Sequence, residues 1–390
     1  MYLREYQAKE ILAQYGVKIP EGAVAASPEE AEARAKSMSA QKFVVKAQIE
    51  AGGRGLAGGV KFAASPSGVR EAAREMMDKR LVTEQTGSAG EAVGKVYVEA
   101  AIDDPRNLYL AMVVDERHAT PTLLGAKAGG VHFERKALQD PGIVDTLPLP
   151  FEGDLAAVDL DAFVAGLGVE GAAAQSVKTL VSNALRAAFA YDAILLELNP
   201  VVITAAGEAV AVDAKMVIDA NALFRHPELE AIARDIASDP LERAAREAEI
   251  NFVKMEGDIG LVVNGAGLGL ATTDMVIDAG GRPANFMDIR TTATSFQIAK
   301  GVRLLLEDPQ VKVILVNVHG GGMTVCDTVA EAINFAYARA KRQPPIVFRA
   351  EGQNAPQALT IMRDRQLPFE HAPDMTRAVA RAIAIAKGAA

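Results

Sequence analysis

The segment Glu197-Leu198-Asn199-Pro200-Val201-Val202-Ile203-Thr204 is followed by Ala205-Ala206-Gly207 and then by a second run from Glu208 to Val217. This spacing reads as a hairpin. With Ala205 to Gly207 as the loop and Gly207 supplying the left-handed position, Thr204 pairs with Glu208 and the register follows. Counting outward sets Asn199 opposite Asp213 and Glu197 opposite Lys215. Strand side chains alternate, so these four polar groups share one face while Leu196, Leu198, Val212 and Ala214 take the other. Two carboxylates, an amide oxygen and an ammonium on one face suit a magnesium ion and the phosphates it bridges, because Mg²⁺ prefers a few protein oxygens plus substrate phosphates. The alternative is a solvated face with a cross-strand salt bridge. The apolar character of Ala193 to Leu198 argues for burial, where such groups need a purpose.

Lys46 ends an apolar strand, and Ala51 to Gly59 behind it holds five glycines in nine residues. The backbone N–H groups of such a loop can approach phosphate oxygens unobstructed. No Gly-Lys-Ser or Gly-Lys-Thr follows, so it is not a Walker loop. A flexible connector is the alternative, but a lysine pointing inward needs an anion.

Two further glycine turns follow strands. Asn264-Gly265-Ala266-Gly267-Leu268-Gly269-Leu270 lacks the offsets of a dinucleotide fingerprint and reads either as a helix N-terminus open to an anion or as a tight turn. Asn317-Val318-His319-Gly320-Gly321-Gly322-Met323 precedes a helix expected from Thr324, and its backbone donors could hold a carboxylate or phosphate. His319 beside that turn reads as structural or as a contact, and Cys326 as packed. His118, His132, His226 and His371 have no metal-ligand spacing, and no Gly-x-Ser-x-Gly elbow suggests a hydrolase.

The elements that must position these groups are readable in outline. Leu3 to Tyr15 has helical spacing stopped by Gly16, and Ser27-Pro28-Glu29-Glu30 is a complete helix start. Phe43 to Val45, Val96 to Val98, Leu108 to Val114, Thr122 to Leu124 and Ala193 to Thr204 read as strands. Ala174 to Ala190 reads as a helix with Val177, Leu180, Val181, Leu185 and Ala188 on one stripe. From Ile259 the rhythm becomes strand, glycine turn, helix, with strands at Ile259 to Val263, Val311 to Val318 and Ile346 to Arg349. That alternation predicts an α/β domain with a parallel sheet, whose ligands belong at the strands' carboxyl ends. The boundary is expected in the polar stretch Asp235 to Glu249, giving domains 1–240 and 241–390.

At 390 residues the chain suggests two domains, given about 150 residues for each. A net charge of −9 offers no general attraction to nucleic acid or anionic lipid, so neither is expected as a partner. Cys326 is the only cysteine, which excludes an intrachain disulfide and a cysteine-based zinc cluster and suits a reducing compartment. The start lacks a secretory core and no stretch runs about 18 apolar residues. A cytoplasmic protein is expected.

Almost the whole chain, from Glu5-Tyr6-Gln7-Ala8-Lys9 to Arg349-Ala350-Glu351-Gly352-Gln353-Asn354, resembles the β subunit of succinyl-CoA synthetase and its malate–CoA ligase relatives. Ala51 to Gly59, Lys79-Arg80-Leu81-Val82-Thr83, Glu197-Leu198-Asn199-Pro200, Asn221-Ala222-Leu223-Phe224-Arg225 and Val263 to Leu268 carry the likeness, in order and with matching spacing. The resemblance implies an ATP-grasp domain followed by a flavodoxin-like CoA-ligase domain. It implies nucleotide contacts from Lys46, Gly53, Arg54, Gly55 and Glu99 and from the backbone of Ile102. Asn199 and Asp213 would bind Mg²⁺, and Glu197 would act near phosphoryl transfer. Asn264 and the loop Gly321-Gly322-Met323 would border the acid site. The implied enzyme is an ADP-forming acid–CoA ligase using ATP or GTP, CoA, and succinate or a related dicarboxylate such as malate. An acyl phosphate would form, and a phosphohistidine would come from an α subunit partnered as a heterodimer or heterotetramer. A non-catalytic nucleotide-binding paralogue is the alternative.

The chain departs from the family pattern in places. Arg290, Thr291 and Thr292 stand where three glycines are usual, and the loop Gly320 to Asp327 is one residue longer and lacks an arginine. Asn107 replaces a glutamate, while Glu50 and Leu56 replace a histidine and a lysine. Arg290 is expected either to compensate for the lost arginine or to bind a different carboxylate.

Overall fold

The computed structural model describes residues 1–86, 90–102, 106–115, 119–151, 153–229, 232, 239–290, 292–322 and 324–388. They fall into two compact units, Met1–Glu230 and Ala231–Ala390.

The first unit opens with helix α1 (Glu5–Gln14). Strand β1 (Gly22–Ala25), helix α2 (Pro28–Ser37), strands β2 (Phe43–Ala47) and β3 (Val60–Ala63), and helix α3 (Pro66–Met77) follow. Both α2 and α3 start with a serine cap and a first-turn proline. Ser27 Oγ accepts from the Glu30 N–H at 3.1 Å and Ser65 Oγ from that of Gly68 at 3.2 Å, satisfying donors the helix itself cannot. A short pair, β4 (Arg80–Leu81) and β5 (Glu91–Ala92), precedes β6 (Val96–Ala100). The antiparallel order is β1-β6-β2-β3. One face of this sheet, with Phe43, Val45, Ala47, Val96 and Val98, packs on Ala31, Ala35, Val69, Ala73 and Met76 of the two helices. Alternation therefore sends Lys46 and Glu99 to the opposite face.

The second sheet of this unit is built from β7 (Asn107–Asp115), β8 (Thr120–Ala126), β9 (Asp145–Pro148), β10 (Ala193–Ile203), β11 (Ala209–Ala211) and β12 (Ala214–Ile218). Its order is β11-β10-β7-β8-β9, with β12 also on β10. Helix α4 (Phe133–Gln139) lies in the connection from β8 to β9, and α5 (Leu160–Gly166) and α6 (Gly171–Ala190) lie between β9 and β10. Val177, Leu180, Val181, Leu185 and Ala188 of α6 are all buried, as their spacing requires. Val181, Ala184 and Leu185 lie against Leu196 and Leu198 of β10 and Leu110 and Met112 of β7. That anchors the apolar face of β10 and turns Glu197 and Asn199 the other way.

The second unit contains helix α7 (Pro240–Glu247), strands β13 (Asn251–Lys254) and β14 (Ile259–Asn264), helix α8 (Ala266–Asp278) and strand β15 (Asn285–Ile289). It continues with α9 (Ser295–Glu307), β16 (Val313–Gly320), α10 (Cys326–Tyr337), β17 (Ile346–Gly352), α11 (Ala355–Asp364), β18 (Phe369–His371) and α12 (Met375–Ala386). Asp239 caps α7 and Pro240 stands in its first turn. The Asp239 Oδ1 accepts from the Leu241 N–H at 2.7 Å. Strands β14 to β18 are parallel in the order β15-β14-β16-β17-β18, with β13 antiparallel at the edge. This is the flavodoxin-like arrangement, whose switch point lies between the first and third parallel strands, here β14 and β16. Helices cover both faces, α9, α10 and α11 over one core and α8 and α12 over the other. Burial on both faces explains the continuous apolar runs of β14 and β16.

Candidate functional site

In the first unit, the hairpin register is the counted one. Glu197 pairs with Lys215 and Val201 with Ala211, while the Thr204 N–H donates to the Glu208 carbonyl at 2.9 Å. Gly207 has φ of 78°, a backbone setting that a side chain would strain. Between these pairs Asn199 lies level with Asp213. The Asn199 Nδ2 donates to Glu197 Oε1 at 3.3 Å, and Asn199 Oδ1 accepts from the Gly130 N–H at 2.6 Å. Asn107 Oδ1 accepts from the neighbouring Gly129 N–H at 2.8 Å. A Cβ at Gly129 would fall 2.7 Å from the Leu108 carbonyl oxygen and 2.9 Å from Asn199 Oδ1, so only glycine lets this loop lie so close.

The face opposite the α2 and α3 core holds six charges. Lys9 and Lys46 both reach Glu5 Oε1 at 2.9 Å and a Glu99 oxygen at 2.5 Å. Both also donate to the Val212 carbonyl, at 2.6 and 2.7 Å. Arg54 Nη2 lies 2.9 Å from Glu5 Oε2 and donates to Asp213 Oδ1 at 3.0 Å and Oδ2 at 3.2 Å, while Nη1 donates to the Ala47 carbonyl at 2.9 Å. The anion that Lys46 requires is thus internal. Of these six side chains Asp213 is the most exposed, at 35%. Burial would lower the Lys46 pKa, but attraction to Glu5 and Glu99 overrides it and raises it above the usual lysine range. Burial would raise Glu5, but Lys46, Lys9 and Arg54 hold it well below the usual carboxylate range. Glu197 behaves oppositely: burial, then repulsion from Glu134, pushes its pKa up.

The glycine-rich segment is the tip between β2 and β3. It folds back so that the Gly59 N–H meets the Arg54 carbonyl at 2.8 Å and the Ala47 N–H meets the Gly59 carbonyl at 2.8 Å. Gly53 has φ of 77°, and Gly55 lies against Val131. Ile102 is half-buried just beyond β6. Glu99, expected at the nucleotide, is fully buried, with its carboxylate between Lys9 and Lys46. Among the described residues no group of three or more His, Cys, Asp and Glu could hold a metal by itself. One carboxylate and one amide oxygen at Asp213 and Asn199 are nevertheless the hard donors that Mg²⁺ takes beside phosphate and water.

In the second unit, the expected acid-site residues gather at the β14/β16 switch point. Asn264 Nδ2 donates to the His319 carbonyl at 2.7 Å and Asn264 Oδ1 accepts from the His319 N–H at 2.8 Å, so the side chain ties the two strand ends together. The Asp288 carboxylate accepts from the Gly265 N–H at 2.7 Å at the start of α8. Gly321 and Gly322 form a turn closed by the Gly321 N–H to the Thr324 carbonyl at 3.2 Å. Met323, Thr291 and His118 lie outside the described residues. Thr324 Oγ1 donates to the Arg290 carbonyl at 3.2 Å. Arg290 lines an open cleft with Glu249, Asp288, Thr292 and Gln297, above Ile250, Met287 and Ile298. Cys326 is buried, its Sγ 3.2 Å from the Glu351 carbonyl oxygen.

The ATP-grasp domain profile matches residues 2–203 and the CoA-ligase profile residues 262–383. The chain is 39% identical over 390 residues to the succinate–CoA ligase [ADP-forming] subunit beta of Anaeromyxobacter dehalogenans (strain 2CP-C), covering all of both chains. It is 38% identical over 399 residues to that of Acidiphilium cryptum (strain JF-5), again over all of both. The chain belongs to the family of ADP-forming succinate–CoA ligase β subunits. The family's fold is shared more widely. ATP citrate lyase from Methanothrix soehngenii, solved with citrate and coenzyme A, superposes with a TM-score of 0.78 at 18% identity, over 98% of each chain. No helix among the described residues is long and apolar enough to cross a membrane.

For this family member, sequence reasoning missed Glu5 and Lys9 as parts of the charged cluster. The signal was present: both are charged, four residues apart, on the same stripe of α1 as the buried Ala8 and Leu12. Glu134 and the Gly129-Gly130 loop gave no comparable signal, because only tertiary folding brings them to Glu197 and Asn199.

Proposed function

We propose that this chain is the nucleotide-binding subunit of an acid–CoA ligase that couples ATP, or GTP, to thioester formation on succinate or a related dicarboxylate such as malate, releasing ADP and phosphate. The observation that carries the reading is the shared face of Glu197, Asn199 and Asp213 beside Arg54 and Lys46, in a chain aligned end to end with named ligase subunits. Phosphoryl transfer asks for positioning and electrostatic stabilisation more than covalent work by the protein. Asn199 Oδ1 and the Asp213 carboxylate would hold Mg²⁺, which when bound neutralises charge on the phosphates. Gly53 and Gly55 give N–H groups open access to phosphate oxygens, Arg54 adds a cation beside them, and Glu99 and Ile102 complete the nucleotide set. Glu197, held by Asn199, faces the transferring group.

At the second unit, Asn264 fixes the strand ends, and Gly321, Gly322 and Met323 would border the acid there. Arg290 adds a cation for a carboxylate. Acyl phosphate formation, displacement by CoA and phosphoryl transfer through a histidine would be completed with an α subunit, the partner that the relatives' name, subunit beta, implies. A reducing cytoplasm suits Cys326. A second reading, a subunit that binds nucleotide or partner without turnover, draws on Lys46, whose ammonium meets three protein oxygens, as many as it has protons.

The test is ADP release by this chain co-purified with its α partner, given ATP, Mg²⁺ and CoA across succinate, malate, itaconate and monocarboxylates. Turnover that needs both CoA and one dicarboxylate supports the ligase and names its acid. Nucleotide binding without turnover on any acid supports the second reading. Asp213→Ala should abolish Mg²⁺-dependent turnover with the fold intact; unchanged turnover at low Mg²⁺ would remove Asp213 from the metal site.

A further inference from the structure

The six charges of this cluster, four of them buried, are arranged around one carboxylate. Glu5, on the first turn of α1, meets Lys9 and Lys46 through Oε1 and Arg54 through Oε2. Every other group in the cluster reaches Asp213 or its backbone through those three cations. Lys9 and Lys46 both hold the carbonyl of Val212, the residue before Asp213, and Arg54 holds the Asp213 carboxylate itself. Asp213 is therefore restrained at its main chain and at its side chain by groups that all converge on Glu5. Three cations face three anions, so the cluster is neutral as built, and each ammonium lies within 2.9 Å of three oxygens.

We propose that Glu5, with Lys9, is a positioning residue for the metal and nucleotide site: it divides Arg54 between two carboxylates and so leaves Asp213 open to a divalent cation. This rests on the reading of Asp213 as a metal ligand. The physical reason is competition. A guanidinium shared by Glu5 and Asp213 holds Asp213 less tightly than one that has Asp213 alone, since charge-assisted bonds to one fork are divided between two acceptors. Neutralising Glu5 gives Arg54 to Asp213 and sets it against the metal. It also leaves Lys9 and Lys46 with one carboxylate between them, which loosens their hold on Val212. Neither effect touches the reacting atoms, so the chemical step at saturating metal is spared.

The measurement is Mn²⁺ binding in the presence of ADP, followed by electron paramagnetic resonance of free Mn²⁺, on the full chain co-purified with its α partner. It is paired with the Mg²⁺ dependence of turnover. Glu5→Gln should raise the half-saturating concentration of both ions by about tenfold to a hundredfold, the size of one charge-assisted hydrogen bond, with kcat at saturating Mg²⁺ within about twofold. Glu5→Gln combined with Lys9→Met restores neutrality with two cations and two anions, and guards against loss of folding in the single variant. It should keep the raised midpoint, because Arg54 still lacks its second carboxylate. Variants that bind Mn²⁺ with the wild-type midpoint, or that lose kcat at an unchanged midpoint, overturn the positioning role alone. Wild-type protein that binds no Mn²⁺ with ADP overturns the metal-site reading as well.

Discussion

Glu197 and Asp213 are carboxylates on one face of one hairpin, and they have different neighbours. Asp213 faces the Arg54 guanidinium, whereas Glu197 is pushed up by burial and by the Glu134 charge. A raised pKa means that Glu197 loses its charge at a higher pH than an ordinary glutamate. If it acts ionised, activity falls as pH drops through that raised value. Glu134→Gln removes the largest charge repulsion on it, and at an exposed first-turn position of α4 it should not disturb folding. The acid limb of kcat/KM against pH should then move to lower pH, with the alkaline limb unchanged. A limb that stays in place or moves upward counts against Glu197 as the ionised group. At this scale the sequence was informative where chemistry follows strand alternation, as at Glu197, Asn199 and Asp213. It was silent on Glu5, Lys9 and Glu134, because their partners lie far along the chain and the contacts depend on how α1 and α4 pack.

Elements explain why the polar groups arrive together. The hairpin register was countable because a three-residue loop with Gly207 leaves one solution, and β14, β16 and α6 were readable because burial writes a strong apolar pattern. The short elements were not: α4 and the strands β4, β5 and β9 are too brief and too polar for periodicity to show. The Gly320-Gly321-Gly322 turn was read as a source of backbone donors, and the structure separates its glycines. A Cβ at Gly320 would fall 2.2 Å from the Gln353 carbonyl oxygen and 2.9 Å from Cys326 Sγ, while one at Gly321 would meet nothing within 4 Å. Gly320 thus serves the packing of β16 against the end of β17. Gly320→Ala should destabilise the second unit by about 1–3 kcal/mol, the usual cost of overpacking, whereas Gly321→Ala should change stability by less than about 0.5 kcal/mol. Urea denaturation of the full chain would tell them apart. Equal effects would mean that the turn shifts as a whole and that the Gly320 contact is not the constraint.

For the whole molecule, the residues proposed for nucleotide and metal all belong to Met1–Glu230, and those proposed for the acid all belong to Ala231–Ala390. This division makes the two recognitions separately addressable by mutation. Arg290 is the sharpest place to use it. It follows the carboxyl end of β15, next to β14, and lines the open cleft, and among the described residues its guanidinium has one contact in hydrogen-bond range, to Asn251 Oδ1 at 3.3 Å. A substrate carboxylate entering that cleft beside β13 and β15 would meet this cation. Arg290→Gly should therefore raise KM for the preferred acid by about tenfold to a hundredfold, from the loss of a charged hydrogen bond worth about 1.5–3 kcal/mol. The KM for ATP should stay within about twofold, and monocarboxylates should gain relative to dicarboxylates. A change confined to the nucleotide KM would show that Arg290 serves the first unit's ligand after all, and the acid would have to be sought at the Gly321-Gly322 turn alone.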